Sequence, residues 1–457
     1  MGAVGDMELL LRNMNDTQGS ENVLTVQQRI AELARERPQE CFTALNHYLT
    51  VDWLKVAYYR VKPDSAPGVD GQSWEDYGQK LEENLRDLLD RVKGGRYVAP
   101  PVKRAYIPKG DGDRRGIGMP AMEDKVLQRA IAMLLEPIFE QDFKYFSYGF
   151  RPGRSAHQAL ANIWNQCMSQ GIRWILEVDI RKYFDTIKKE SLRKFLDRRV
   201  RDGVIRRLIG KWLNAGVWEK GQLSYPEDGT PQGGVISPLL SNVYLHEVLD
   251  CWFEEEVKPR MKGRVFLVRF ADDFILGFEE KEDAEKVYRV LFKRFEKYGL
   301  SLHPEKTRLV AFGCPEETTG NQAKSPKPET FDFLGFTHYW GKTRNGRWVV
   351  RRKTMRKRFK RGLDAINQWC RENLHEPMLK QVEVLGRKLK GHFGYYGITG
   401  NFEALQRFRW EVIGIWRKWL ARRGDPKGMT WERMHKLLDF FYIPEARVVH
   451  SIYAAKP

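Results

Sequence analysis

The stretch Val265-Phe-Leu-Val-Arg-Phe-Ala-Asp-Asp-Phe-Ile-Leu-Gly-Phe278 constrains the chain more than any other. Two runs rich in Val, Leu, Ile and Phe flank Asp272 and Asp273. Apolar runs of that length around a short polar centre predict a β-hairpin. Adjacent carboxylates at a hairpin tip repel each other, and a cation held between them and a further group relieves that cost. Taken alone, an Asp-Asp pair in a turn is most often simply solvated.

A third acid changes the weighting. The alternating stretch 174–180 predicts a strand, and Asp179 stands at its end, 93 residues before Asp272. Carboxylates converging from neighbouring strands suit Mg²⁺, which takes oxygen ligands, keeps waters and binds substrate phosphates. Two such ions activate a 3′ hydroxyl and stabilise a leaving pyrophosphate. Read singly, Asp179 is equally well an exposed strand-end residue.

Other stretches supply what such carboxylates need. Lys109, Arg114 and Arg115 sit on a Gly/Asp-rich segment between two predicted strands, at 102–108 and 117–120. There they could clamp a triphosphate, Arg as a bidentate fork and Lys as a point charge. Thr230-Pro-Gln-Gly-Gly-Val-Ile-Ser-Pro-Leu-Leu240 is a glycine turn leading into an apolar helix. Paired glycines let the backbone approach a base or sugar closely. Phe184 follows Asp179 by five residues. A ring under the incoming sugar would exclude a 2′ hydroxyl, the group that distinguishes RNA from DNA. The plain alternatives are a solvated turn, a helix entry and core packing.

Charge narrows the partner. The 457 residues carry 78 Lys and Arg against 60 Asp and Glu, a net charge of +18 with a pI near 9.5. That balance points to a polyanion. No apolar run approaches a membrane span and the N-terminus lacks a signal pattern, so a cytosolic location is expected. Five scattered cysteines with no Cys-x-x-Cys support neither a disulfide framework nor a zinc module. The most basic segment is 341–423, with 22 Lys and Arg against 6 Asp and Glu.

The coarse pattern is α+β. Residues 1–22 are polar and expected to lack order. Helices are expected over 26–60, 74–93, 123–139, 190–200 and 282–298. A polar loop is expected at 313–330, and a helical, basic region from about 341 onward. Within that region Trp340, Trp348, Tyr395, Tyr396, Trp410 and Trp416 interleave with cations, and some could stack on bases, though core packing is the commoner role.

These motifs, in this order, resemble the reverse transcriptases encoded by bacterial group II introns. Phe270-Ala-Asp-Asp273 is similar to the family's metal motif, where Tyr is commoner at the first place. Val178-Asp-Ile-Arg-Lys-Tyr-Phe-Asp185 and Gly229-Thr-Pro-Gln-Gly-Gly-Val-Ile-Ser-Pro238 resemble two further blocks. So do Ile107-Pro-Lys109 with Arg115-Gly-Ile-Gly-Met-Pro120, Ser147-Tyr-Gly-Phe-Arg-Pro-Gly-Arg-Ser-Ala-His157, Gly68-Val-Asp-Gly71, His303-Pro-Glu-Lys-Thr307 and Phe333-Leu-Gly-Phe336. Gly391-His-Phe-Gly-Tyr-Tyr-Gly397 looks like the maturase-specific thumb.

The resemblance covers roughly residues 60–420. It implies a right-hand polymerase with fingers, a ferredoxin-like palm and a helical thumb. The implied divisions are 1–95 as an N-terminal extension, 96–340 as fingers and palm, and 341–457 as thumb. It makes Asp179, Asp272, Asp273 and the Ile180 carbonyl ligands of two Mg²⁺ ions, with Mn²⁺ as a substitute, and Lys306 a proton donor to pyrophosphate. Lys109, Arg115, Phe184 and Gln232 would bind the dNTP, and Leu334 and Gly335 would seat the primer. Arg351, Arg352, Lys353, Arg356, Lys357, Arg358, Lys360 and Arg361 would grip RNA. The implied partners are group II intron RNA, an RNA template with a DNA primer, and target DNA. The chain shows no HNH endonuclease cysteines before Pro457, which resembles the short class lacking that domain. A free-standing defence or retron-like reverse transcriptase, and a splicing-only RNA-binding protein, remain the alternatives.

Overall fold

The computed structural model describes residues 18–108, 114–229, 233–315, 328–423 and 428–452. The expected clamp residue Lys109, the glycine-turn residue Gln232 and most of the polar loop at 313–330 lie outside them. So does the expected disorder as far as residue 17. From Gln18 the chain is helical, to Glu36.

The helical stretch expected over 26–60 is interrupted. Pro38 follows the first helix, and proline both lacks a donor and restricts the residue before it. The chain resumes as Val51–Tyr59, where Thr50 caps the Trp53 amide. The expected 74–93 helix likewise divides into Trp74–Gly78, opened by a Ser73/Asp76 capping box, and Leu81–Lys93. These elements pack on the helix Met122–Asp142, which is buried along most of its circumference around the apolar run 130–135, with Asp124, Lys125 and Gln128 buried beside it.

The next elements form a mixed four-stranded sheet. β1 (Val102–Pro108) pairs antiparallel with β2 (Arg114–Met119) and parallel with β5 (Val217–Glu219), which continues to β6 (Gln222–Ser224). A second sheet is antiparallel throughout. It contains β3 (Trp174–Val178), β7 (Val265–Phe270), β8 (Asp273–Phe278) and β10 (Arg308–Ala311), in the order β10-β3-β8-β7. Its strands are almost wholly apolar because helices cover one face while Leu160, Ile163, Phe331, Phe333 and Phe336 pack on the other. The covering helix Lys281–Lys297 presents Ala284, Val287, Leu291 and Phe295 as a buried stripe. A short pairing of β4 (Ile180–Arg181) with β9 (Ser301–Leu302) extends one end.

From 341 to 354, where helix was expected, the structure has strand instead. β11 (Phe331–Phe333), β12 (Phe336–Lys342) and β13 (Trp348–Thr354) form a third sheet. In β13, Val350, Arg352 and Thr354 are buried while Lys353 is exposed. That is a strand's period of two, hidden in the sequence because the inward series includes an arginine. The division expected at 340 falls inside β12. Helices begin at Arg356–Glu372 and continue through Met378–Tyr396, Phe402–Leu420 and Trp431–Phe440. They enclose a separate core around Leu385, Leu389, Phe408, Val412 and Trp416.

Candidate active site

The Asp-Asp stretch is a two-residue hairpin. Phe270 pairs with Asp273, so Ala271 and Asp272 form the loop. Ala271 has φ +57°, a left-handed conformation that favours glycine. Gly149 explains part of how the turn is held. A Cβ at Gly149 would collide with the Ala271 amide nitrogen and lie 2.8 Å from the Phe270 carbonyl carbon. The segment around Ser147 thus lies directly on the turn, and it is joined to β7 through Tyr148 N to Arg269 O at 2.8 Å.

Asp179 stands at the same end of the sheet. The β3–β8 ladder runs to Val178 opposite Phe274, one residue short of Asp179 and Asp273. Neighbouring strands lie about 4.8 Å apart. The Asp179 carbonyl accepts from the His303 amide at 2.8 Å, and its carboxylate meets Lys306 Nζ at 3.1 Å. The pair is part-exposed, so its own stabilisation is small. Ile180 is buried in β4. Asp272 is half-buried and Asp273 exposed. Among the described residues, no three acidic, histidine or cysteine side chains converge as a ready-made metal cage. The oxygen donors that stand at this end of the sheet, Asp179 and the Asp272–Asp273 turn, are of the kind Mg²⁺ takes together with waters and substrate phosphates.

Beside the acids, β1 and β2 face the turn after β4. Lys182, at φ +43°, opens the helix Tyr183–Thr186. Buried Tyr183 anchors this helix by donating to the Ser241 carbonyl at 2.8 Å. Phe184 is half-buried, its ring 5.3 Å from that of Tyr183 and edge-on to it. A cavity of about 300 Å³ opens here, lined by Arg104, Gly116, Gly118, Lys182, Asp185 and Gly229. Arg104 lies 3.7 Å from Asp185. Gly229 (φ +94°) abuts the carbonyls of Phe184 and Asp185, while a Cβ at Gly233 (φ +110°) would strike the Gly118 carbonyl. The two ends of the glycine turn therefore contact opposite walls of the cleft. Arg115 is the β2 partner of Ile107.

Leu334 (φ +48°) and Gly335 (φ +80°) form the turn between β11 and β12. Tyr395 donates to the Leu334 carbonyl at 2.8 Å, and burial pushes its hydroxyl up to about 12, so it stays a donor. Of the eight basic residues assigned to RNA, Lys353, Arg356, Lys357, Arg358, Lys360 and Arg361 are exposed and Arg351 is half-buried. Arg352 is not available. It is fully buried, and its Nη1 donates to the Leu160 carbonyl at 3.2 Å. Trp416 is likewise core, donating to Gln381 Oε1 at 2.8 Å, whereas Trp410 is exposed. Sequence reasoning missed Arg104 and Lys182 as walls of the cavity. Nothing in their local spacing marks them, because the cavity forms only when β1 meets the Tyr183–Thr186 helix.

Comparison with known proteins bears directly on this geometry. Residues 107–338, which contain the hairpin, Asp179 and the cavity walls Gly116 to Gly229, match the family described as reverse transcriptase (RNA-dependent DNA polymerase). The chain belongs to the reverse transcriptase family. It is 36% identical to protein YkfC of Escherichia coli over 283 residues, 55% of this chain and 74% of that one. It is 28% identical to the group II intron-encoded protein LtrA of Lactococcus lactis over 462 residues, covering 84% of this chain and 75% of LtrA. A shorter match, 29% over 136 residues, reaches the mitochondrial nuclear intron maturase 4 of Arabidopsis thaliana, over 30% of this chain and 17% of that one. Among the described residues no helix is long and apolar enough to cross a membrane.

Proposed function

We propose that this reverse transcriptase is the RNA-directed DNA polymerase of a mobile group II intron, and that it also binds its intron RNA as a maturase. The observation that carries the polymerase reading is the placement of Asp179 beside the Asp272–Asp273 hairpin at one end of the second sheet. The intron reading is supported by the reach of the likeness to LtrA, which covers 84% of the chain and so extends beyond the polymerase domain. That reach disfavours a retron-like protein sharing the catalytic domain alone.

The architecture supports a right hand. The strand order β10-β3-β8-β7 with its covering helices is that of a β-α-β-β-α-β unit, the ferredoxin-like palm. β1 and β2 belong to fingers, residues 1–95 to an N-terminal extension, and the helices from Arg356 to a thumb.

In this reading Asp179 and Asp272 hold the cations, with Asp273 and the Ile180 carbonyl in support. Bound there, two Mg²⁺ ions would lower the pKa of a primer 3′ hydroxyl and neutralise the pyrophosphate that leaves. The chain's own residues supply position. Arg104 and Lys182 line the cleft with positive charge for a triphosphate, and Lys109 and Arg115 are assigned to the same triphosphate. Phe184 would close the sugar side against a 2′ hydroxyl, and Gln232, outside the described residues, is assigned to the same nucleotide site. Lys306, whose Nζ lies 3.1 Å from the Asp179 carboxylate, would give the proton to pyrophosphate. Leu334 and Gly335 seat the primer terminus, tied to the thumb by Tyr395. The exposed cations of β13 and the helix Arg356–Glu372 neutralise RNA phosphates, and target DNA enters as the further nucleic acid of retrohoming. Substituting Asp272 and Asp273 by Ala tests the assignment. Primer extension on an RNA template should stop while RNA binding persists. Extension that survives would show that the metal site lies elsewhere.

A further inference from the structure

The residue before Phe270 is Arg269, and its side chain is wholly buried beneath the turn. Its Nε and Nη2 form a fork on Asp250, at 2.8 Å to Oδ1 and 2.6 Å to Oδ2. Its Nη1 donates to Asn242 Oδ1 at 3.0 Å and to the Ala271 carbonyl at 3.1 Å. Asn242 in turn donates through Nδ2 to the Gly149 carbonyl at 2.7 Å. Gly149 is the residue packed against the Ala271 amide. One guanidinium therefore holds the loop peptide from below and, through Asn242, the segment that clamps it from the side.

The acid that anchors this network sits in unusual backbone. Asp250 ends the π-helical turn His246–Asp250, which continues the helix Ser237–Leu245 carrying Asn242. A π turn carries an extra residue and is frequent at functional sites. It offsets Asp250 from the regular helical position and presents it to Arg269 alongside Asn242. Both partners of the ion pair are fully buried. Desolvating two charges is expensive, and well-packed apolar residues would serve stability as well or better. What apolar residues cannot supply is a charge-assisted donor aimed at the Ala271 carbonyl.

That donor acts where the backbone is strained. Ala271 occupies φ +57° with no glycine freedom, and such residues persist only where surroundings over-determine them. The two-residue turn itself demands positive φ at this position, which costs a residue with a Cβ, so any relaxation of the loop peptide would redirect Asp272, the next residue, with it. We propose that Arg269 and Asp250 are positioning residues: their buried fork locks the Ala271 peptide and thereby sets the Asp272 carboxylate for catalysis. This rests on the polymerase reading of the hairpin.

The test uses the full chain and two networks of substitution. In Arg269→Met/Asp250→Leu both charges are removed together, so no unpaired charge remains in the core. In Arg269→Lys the charge on Asp250 is kept but the fork is lost. Each is made with and without Ala271→Gly, since glycine adopts φ +57° at little cost and needs no lock. The expected result for either network variant is a kcat lowered by about 100-fold, the scale of a roughly 1 Å misplacement. Template–primer Kd and dNTP KM should change little, and Ala271→Gly should recover about tenfold of the lost kcat. A network variant that folds and keeps kcat within about threefold of the parent overturns the proposal. So does a loss that Ala271→Gly fails to relieve, because a purely structural role would not be repaired at the turn. Should the double variant not fold, Arg269→Lys decides alone by the same criteria. An inactive parent chain would count against the polymerase reading, whereas an active parent indifferent to the network counts against this one.

Discussion

Gly149→Ala is the smallest change that should disable the hairpin. The added Cβ would lie 2.8 Å from the Phe270 carbonyl carbon and 3.0 Å from Ala271 Cα, and nearer still to the Ala271 nitrogen. Unstrained contact begins near 3.4 Å, so backbone must give way by more than half an ångström. No flexible side chain is available to absorb the shift, since all three atoms are main chain. The Gly149 side is itself pinned by Asn242 and by the ladder to Arg269. The loop holding Asp272 is the part that moves. A misplacement of about 1 Å at a reacting group costs about 100-fold in rate. Single-turnover primer extension on an RNA template, with template–primer and dNTP saturating, reads this loss directly. Thermal unfolding in parallel shows whether the chain remains folded. A folded Gly149→Ala protein extending primers at the parent rate would refute the claim that the turn's position governs catalysis.

Other outcomes follow from the same structure. Phe184→Val should raise incorporation of ribonucleotides relative to deoxyribonucleotides by at least about tenfold, a difference of about 1.4 kcal/mol; an unchanged preference in competition assays would remove Phe184 from the sugar site. Replacing Arg356, Lys357 and Arg361 together by Gln should weaken RNA binding and flatten the plot of log affinity against log salt by about 2, at about 0.7 for each phosphate that is no longer neutralised. Arg352→Met, by contrast, should lower the melting temperature and leave that slope intact, because Arg352 is buried. His392 lies flat on Phe408 with ring centroids 3.6 Å apart, and burial lowers its pKa to about 4. Its neutral form is therefore favoured in the folded state. The stability it contributes is complete above about pH 6.5 and falls, by up to about 3 kcal/mol, as pH drops toward 4. Thermal melts across that range should lose this component in His392→Phe, and an identical pH slope in the variant would contradict the assignment.

How much of this was legible in the sequence depended on how local each signal was. The hairpin was readable because apolar residues continue on both sides of two acids, and β7 and β8 span the expected runs. The strand at 102–108 was equally plain. β13 was not, because Arg352 occupies a core-facing position and the run of cations around it masks the alternation. The cavity walls at Arg104 and Lys182 are brought together from segments 78 residues apart in numbering, and no window of sequence contains both. The Arg269–Asp250 pair was silent for a related reason. Each is an ordinary charged residue in its own segment, and only packing reveals that both are dry. Motif order carried the family where spacing and periodicity could not, since separate blocks agree only if one fold brings them together.

The central claim is that the acids at the end of the second sheet carry out phosphoryl transfer. Primer extension on an RNA template by Asp272→Ala, with template–primer affinity measured on the same preparation, tests it most directly. The expected loss is at least about 10³-fold, about 4 kcal/mol of transition-state stabilisation, with affinity within about threefold of the parent. Extension retained at more than about a tenth of the parental rate would contradict it.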